Sequence, residues 1–422
     1  MKNIRQYFLL ILFASVGISS IHAQWSQSGL DGSDINCLAL SPDGTGNTNL
    51  FAGTNGQGVY FSADSGASWT AVNAGLTNAV VLALADYPDG TGGINLFAGT
   101  NGGGVCLSTD NGTSWTAVNS GLTNAWVRVF AVVPNGTGGM NLFAGTWGGG
   151  VCLSTDNGAN WTGVNTGLTN SNAFALAVSD TNLFAGTRGG GVFRTSDNGS
   201  HWTAVNNGLA DPNVNTLAVY GTYLFAGTSS GVFLSTNNGD SWTAINTGLT
   251  NTDILAFALY NTKLFAGTNG GGVFLSENNG TDWTNVSDGL TKTIVYALNV
   301  FGTNLFAGTF ENGGVWKRSL GEMITSVELN PGFNPSGFSL KQNFPNPFNP
   351  STMINYSIPG EEHVSLKVFN SLGQEVAELV SETKPAGNYS VNFNSGSLAS
   401  GVYLYELRAG SLIQSKKMML VK

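Results

Sequence analysis

Residues 183–209 read Leu183-Phe184-Ala185-Gly186-Thr187-Arg188-Gly189-Gly190-Gly191-Val192-Phe193-Arg194-Thr195-Ser196-Asp197-Asn198-Gly199-Ser200-His201-Trp202-Thr203-Ala204-Val205-Asn206-Asn207-Gly208-Leu209. This series returns along the chain with small changes. Its opening Leu-Phe-Ala-Gly-Thr begins at Leu50, Leu96, Leu142, Leu183, Leu224, Leu264 and Leu305, at intervals of 46, 46, 41, 41, 40 and 41 residues. A period near 40 residues marks a propeller or a solenoid. Each copy holds short apolar runs such as Phe174-Ala175-Leu176-Ala177-Val178, separated by Gly and Asn turns and without helical periodicity. Four strands per copy make one propeller blade, so an all-β chain with a seven-bladed propeller is expected. The two intervals of 46 come from longer first hairpins, at 88–93 and 134–139.

The ends of the repeat region complement each other. Trp25-Ser26-Gln27-Ser28-Gly29-Leu30 matches the fourth strand of a copy with nothing before it, while the last copy stops after its third strand at Val315-Trp316-Lys317-Arg318. The amino-terminal strand is therefore expected to complete the seventh sheet, which leaves no open edge.

Composition narrows the function. The 422 residues carry a net charge of -9, with 10% charged side chains, which gives little electrostatic grip on nucleic acid or anionic lipid. Lys2 and Arg5 precede the apolar run Tyr7–Ile18 and a stretch of small residues ending at Ala23, the order of a secretory signal peptide over residues 1–23. No later stretch is long and apolar enough for a spanning helix, so no transmembrane segment is expected after signal cleavage. Cys106 and Cys152 stand where other copies have Tyr60, Phe193, Phe233 and Phe274, and Cys37 lies in an apolar run. All three read as packing residues.

Six copies contain Ser/Thr-x-Asp/Asn-x-Gly-x-x-Trp, from Ser62 to Trp69, Ser108 to Trp115, Ser154 to Trp161, Thr195 to Trp202, Ser235 to Trp242 and Ser276 to Trp283. The motif resembles the Asp-box repeat of sialidases, xyloglucanases, sortilin-type receptors and photosystem II assembly-factor propellers. Asp64, Asp110, Asp156 and Asp197 are expected to cap the turn through backbone N–H groups, with Gly66 at positive φ and Trp69 covering it. Asn237 and Asn278 replace the acid in two copies, so the group caps a turn and transfers no proton. One carboxylate per turn is sparse for calcium, and neither metal nor cofactor is expected.

Comparing the copies with each other separates scaffold from free positions. Counting from the Gly of each Gly-Leu, the fifth residue onward is Asp34, Val80, Trp126, Asn172, Asn213, Asp253 or Ile294, and the seventh is Asn36, Leu82, Arg128, Phe174, Asn215, Leu255 or Tyr296. The residue after Leu-Phe-Ala-Gly-Thr is Asn55, Asn101, Trp147, Arg188, Ser229, Asn269 or Phe310. By contrast, the tenth position is Ala except for Asn299. Propeller strand order brings the variable columns to one face, opposite the Asp-containing turns. Asp34, Trp126, Arg128, Trp147, Arg188, Asp253, Tyr296 and Phe310 then surround a shallow funnel suited to a sugar or a peptide segment.

Catalysis has little to draw on. Sialidases similar in this repeat use an arginine triad, a tyrosine with a glutamate partner, and an acid. Here the propeller offers Arg128, Arg188, Arg194 and Arg318, with Glu277 and Glu311 as its glutamates, and lacks the Arg-Ile-Pro segment. A xyloglucanase-like hydrolase needs two carboxylates flanking the scissile bond, and Asp34 with Asp253 is the pair to nominate. Those enzymes work between two propellers, and this chain has one. Neither His201 nor His363 belongs to a Ser-His-Asp arrangement.

After Arg318 the repeat ends, and 321–337, with Asn330-Pro331-Gly332 and Asn334-Pro335-Ser336-Gly337, reads as a linker. Six alternating runs between Met353 and Leu420 suit a small Ig-like sandwich. Asn343-Phe344-Pro345-Asn346-Pro347-Phe348-Asn349-Pro350, Ser371-Leu372-Gly373-Gln374, Ser400-Gly401-Val402-Tyr403 and Lys417-Met418-Met419-Leu420-Val421-Lys422 together resemble the sorting domain of type IX secretion, over residues 338–422. That resemblance implies the secretion machinery as partner, passage across the outer membrane of a Gram-negative cell, and removal of the domain, with release or surface attachment afterwards. The expected cargo, residues 24–320, carries 17 acidic and 7 basic residues. Its expected role is non-covalent binding of a glycan or protein, with glycoside hydrolysis and a structural surface role as alternatives.

Overall fold

The computed structural model describes residues 24–421, without 43–47, 89–93, 136–139, 180, 325–337, 344–345, 347, 349–350, 359, 361, 385–386, 397 and 411. The expected signal peptide, most of the linker and the tips of the long hairpins lie outside the described residues. The chain divides into two compact units, residues 1–325 and 326–422.

The first unit is a propeller-like succession of four-stranded antiparallel sheets. The first sheet takes Ile35–Pro42, Thr48–Thr54, Val59–Ser62 and Thr70–Ala71 in that order. Five more sheets repeat this order from Val81–Pro88, Val127–Pro134, Ala173–Ser179, Val214–Tyr220 and Ile254–Tyr260. The seventh sheet runs Val295–Phe301, Asn304–Thr309, Gly314–Ser319, and its outer strand is Ser26–Gly29 from the amino terminus. First strands of successive sheets lie side by side, and Val295–Phe301 lies beside Ile35–Pro42.

Close approach explains the repeated Leu-Phe-Ala-Gly-Thr. Its first four residues are buried in every copy. A Cβ on Gly99 would stand 2.7 Å from Cγ1 of Val127, on the next sheet's first strand. Only glycine lets the sheets meet at that spacing. Each turn tryptophan then ties its sheet to the one before. The indole N–H groups of Trp115, Trp161, Trp202, Trp242 and Trp283 donate to the carbonyls of Val72, Val118, Val164, Val205 and Ile245 at 2.7–2.9 Å. Trp25 does the same, with Nε1 2.7 Å from Val286 O and its backbone N–H 2.9 Å from Asp288 O. Trp69 in turn donates to Ser28 O of the amino-terminal strand at 2.8 Å.

The chain does not leave this unit at Ser319. A helical turn, Leu320–Met323, folds back and buries Leu320 and Met323 against the cluster that contains Trp25 and Trp316.

The second unit has two sheets. One orders Ser339–Leu340, Ser351–Ile358 and Gly387–Asn394, and the other Glu375–Lys384, Glu362–Phe369, Gly401–Ala409 and Leu412–Leu420. Alternate residues of both, including Ile354, Tyr356, Val364, Leu366, Tyr405 and Leu407, form one core. Asn346 and Phe348 hold the terminal strand. Phe348 N–H donates to Met419 O at 2.9 Å, Val421 N–H donates to Phe348 O at 3.1 Å, and Met419 N–H donates to Asn346 Oδ1 at 2.8 Å.

Candidate functional site

Every first strand begins with the same irregularity. Ile35 pairs with Thr54 and Cys37 with Gly53, so Asn36 is an extra residue, and the shift recurs at the corresponding place in all seven sheets. A bulge of this kind re-aims one side chain. The bulged residues are Asn36, Leu82, Arg128, Phe174, Asn215, Leu255 and Tyr296, which are the seventh-position variable column.

The other two variable columns meet within each sheet. Backbone N–H groups of Asn55, Asn101, Trp147, Arg188, Ser229, Asn269 and Phe310 donate to the carbonyls of Asp34, Val80, Trp126, Asn172, Asn213, Asp253 and Ile294 at 2.9–3.3 Å. The glycine turns between second and third strands also donate to the loop entering the next sheet, as Gly148 and Gly150 do to Ser171 O. This places the variable residues on one end of the first strands, joined around the rim by backbone bonds.

Their side chains form a continuous array over four sheets. Trp126 and Trp147, 44% and 41% exposed, meet edge to face with ring centroids 5.5 Å apart. The Trp147 ring lies 5.2 Å from buried Phe174, and the guanidinium carbons of Arg128 and Arg188 each stand 4.4 Å from the Phe174 centroid. Arg188 Nε donates to Asn215 Oδ1 at 3.0 Å. Asn215 Nδ2 reaches Asp253 Oδ1 at 3.3 Å, and Asn269 Nδ2 donates to Asp253 Oδ2 at 2.9 Å. Burial first, and then the nearby charge of Arg188, depresses the Arg128 guanidinium to about 10, while Tyr296 and Cys37 act on it favourably. Among the described residues no carboxylate forms an ion pair with either arginine.

The remaining expected residues sit further round. The Tyr296 and Phe310 rings meet tilted, with centroids 4.4 Å apart at 33°. Asp34 accepts the backbone N–H of Asn312 at 2.7 Å, and Glu311 and Asn312 adopt φ of 59° and 58°. Its carboxylate thus caps a left-handed turn of the seventh sheet. Asp34 and Asp253 have separate partners, and both are occupied by N–H donors from other strands or turns.

Phe174 and Asn215 belong to the array although they were not among the residues expected to surround the funnel. Their signal was position: each shares the bulge column with Arg128 and Tyr296. A column states that a position is free, and only neighbouring columns read together reveal a ring between two guanidiniums.

The acidic turns carry no such array. Asp64 Oδ1 accepts Ser62 Oγ–H at 2.8 Å and Ser68 N–H at 2.8 Å, and its Oδ2 accepts Ser68 Oγ–H at 2.6 Å. These bonds, led by the Ser68 hydroxyl, hold the carboxyl down to about 2. Asp110 and Asp156 accept the N–H groups of Ser114 and Asn160 at 2.9 Å, and Asp197 that of His201 at 2.9 Å. Asn237 and Asn278 use an amide oxygen for the same contact, to Ser241 N–H at 3.0 Å and Asp282 N–H at 2.9 Å. The three cysteines are free thiols; Cys106 and Cys152 are buried, and burial pushes Cys37 up to about 12. Among the described residues no group of His, Cys, Asp and Glu could hold a metal ion.

Comparison with known proteins agrees with this architecture. Residues 342–422 match the model of the secretion system C-terminal sorting domain, and residues 168–297 match the DUF6242 beta propeller domain. The chain thus joins a beta-propeller domain to a type IX sorting tail, which indicates export to the cell surface or the outer membrane. YCF48 bound to a D1 peptide is similar at 14% identity and TM-score 0.55, covering 72% of this chain and 98% of that one. A GH74 enzyme of Niastella koreensis is similar at 15% identity and TM-score 0.52, covering 94% and 75%. PorZ, a surface component of the type IX secretion system of Porphyromonas gingivalis, is similar at 14% identity and TM-score 0.51, covering 92% of this chain but 59% of its own length. At such identities the likeness is one of fold, which enzymes and non-enzymes share. No curated protein matches the chain.

Proposed function

We propose that residues 24–324 close into a seven-bladed propeller whose bulge-side rim binds an extracellular glycan or peptide segment without catalysis. The type IX tail delivers this binding unit to the surface. The observation that carries the reading is the array of Trp126, Trp147 and Phe174 with Arg128 and Arg188. Two exposed indoles at right angles offer stacking faces, and two cations without a carboxylate partner among the described residues offer charged donors. Asp253, held between two amides, adds an acceptor at the same rim.

The engagement of Asp34 and Asp253 favours binding over hydrolysis. A hydrolase needs one carboxyl to give a proton and another to attack or activate water, whereas Asp34 caps a turn and Asp253 bridges two asparagines. Screening the mature chain and its Asp34→Asn/Asp253→Asn variant on a glycan array, with reducing-end release monitored, tests this. Retained sugar binding without turnover is expected. Turnover in the native chain that disappears in the variant contradicts it, and absence of any sugar binding shifts the ligand to a protein.

A further inference from the structure

A second opening lies deeper along the same first strands. It is a cavity of about 400 Å³ lined by Leu38, Ala39, Leu40, Leu84, Ala85, Asp86, Phe130, Val132 and Asn299, from sheets one, two, three and seven. Two of these residues depart from the pattern of the copies. Asp86 stands where the other first strands have Leu40, Val132, Val178, Val219, Leu259 and Val300. Asn299 stands where they have alanine. Both exceptions line one cavity.

Asp86 returns nothing to the fold. Among the described residues it pairs with no cation, and its one hydrogen bond is to its own backbone. Its carboxyl is open to the lumen, yet the surrounding strands strip away enough water to raise its pKa. Asn299 makes one long bond, from Nδ2 to Leu38 O at 3.4 Å, which leaves its side-chain oxygen as an acceptor. The lining begins two residues beyond the bulge column, at Leu38, Leu84 and Phe130, and Asp86 lies four residues beyond it, roughly 13 Å at the rise of a β-strand.

We propose that this cavity binds a small organic cation, a protonated amine on an apolar body, with Asp86 as counter-ion and Asn299 as hydrogen-bond acceptor. The chemistry of the lining selects the class. Asp86 is the one ionisable side chain of the lining, and a single carboxylate suits a single charged head. Leu38, Leu40, Leu84, Phe130 and Val132 line the same cavity and leave room for a small apolar body beside the charged head.

The test is calorimetric titration of the mature chain with benzylammonium and naphthylmethylammonium, each against its alcohol counterpart. Each amine is expected to bind at least about tenfold more tightly than its alcohol, and Asp86→Leu, which installs the residue of the other copies, is expected to abolish that preference. Asn299→Ala is expected to weaken the amine severalfold. Equal affinity of amine and alcohol, no saturable binding of either amine, or amine binding that survives Asp86→Leu overturns the proposal. The comparison of amine with alcohol on the native chain decides the matter even where a variant fails to fold.

Discussion

Removing the indole of Trp25 isolates the contribution of the amino-terminal strand. Trp25 is 3% exposed and packs in one cluster with Val273, Val286, Val295 and Leu305. A buried tryptophan covers about 200 Å², which at about 25 cal/mol per Å² is about 5 kcal/mol. Alanine recovers part of that, and measured losses for such truncations run at about 3–5 kcal/mol. The lost hydrogen bond adds no orphaned acceptor, because Arg318 Nη1 also donates to Val286 O, at 2.8 Å. Trp25→Ala in the mature chain should therefore lower propeller stability by about 3–4 kcal/mol, the same range as Trp202→Ala at the equivalent place in the fourth sheet. Guanidinium unfolding followed by far-UV circular dichroism gives both values. A loss below about 1 kcal/mol for Trp25→Ala, beside a full loss for Trp202→Ala, refutes the idea that the amino-terminal segment completes the last sheet.

Further outcomes follow from the same geometry. Asp156→Asn should change stability by less than about 1 kcal/mol, because Asn237 and Asn278 already make this contact, while Asp156→Ala should cost about 1–2 kcal/mol in thermal or chemical unfolding. Asp64 and Asp197 have folded-state pKa values lowered to about 2. Their stabilisation is complete above the ordinary carboxylate range and fades as pH falls from about 4 toward 2, which acid titration of unfolding should register and Asp64→Asn/Asp197→Asn should flatten. Asp86 has the opposite sign. Its raised pKa disfavours the folded state once pH exceeds the unfolded value, so Asp86→Leu should gain more stability at pH 7 than at pH 3. Deleting 339–422 should leave the cargo in the periplasm, as fractionation would show; undiminished surface display contradicts the sorting role.

The repeat made the sheets legible because seven copies of one series must fold alike. Pairing of the amino-terminal fragment with the truncated copy followed from counting strands, and Ser26 to Gly29 indeed lies antiparallel to Gly314–Ser319. The rim was legible as columns of free positions. Its physical basis, a bulge at each seventh position, was not, since a bulge exists only relative to a partner strand. The contact of Asp34 with Asn312, 278 residues away, was not legible because it has no local signature. Asp86 reads as a solvent-facing residue of an alternating strand, and its place beside Asn299 in one cavity depends on sheets far apart in sequence. The helical turn Leu320–Met323 was hidden within what reads as the start of a linker.

The proposed recognition depends on the convergence of differing side chains into one surface. Its most direct measurement is the affinity of the mature chain for its best glycan-array or protein ligand, compared between native protein and Trp126→Ala/Trp147→Ala. Both indoles are exposed, so the variant should fold normally, and the affinity should fall at least thirtyfold, equivalent to about 2 kcal/mol. An unchanged affinity in a folded double variant places recognition elsewhere and contradicts the account.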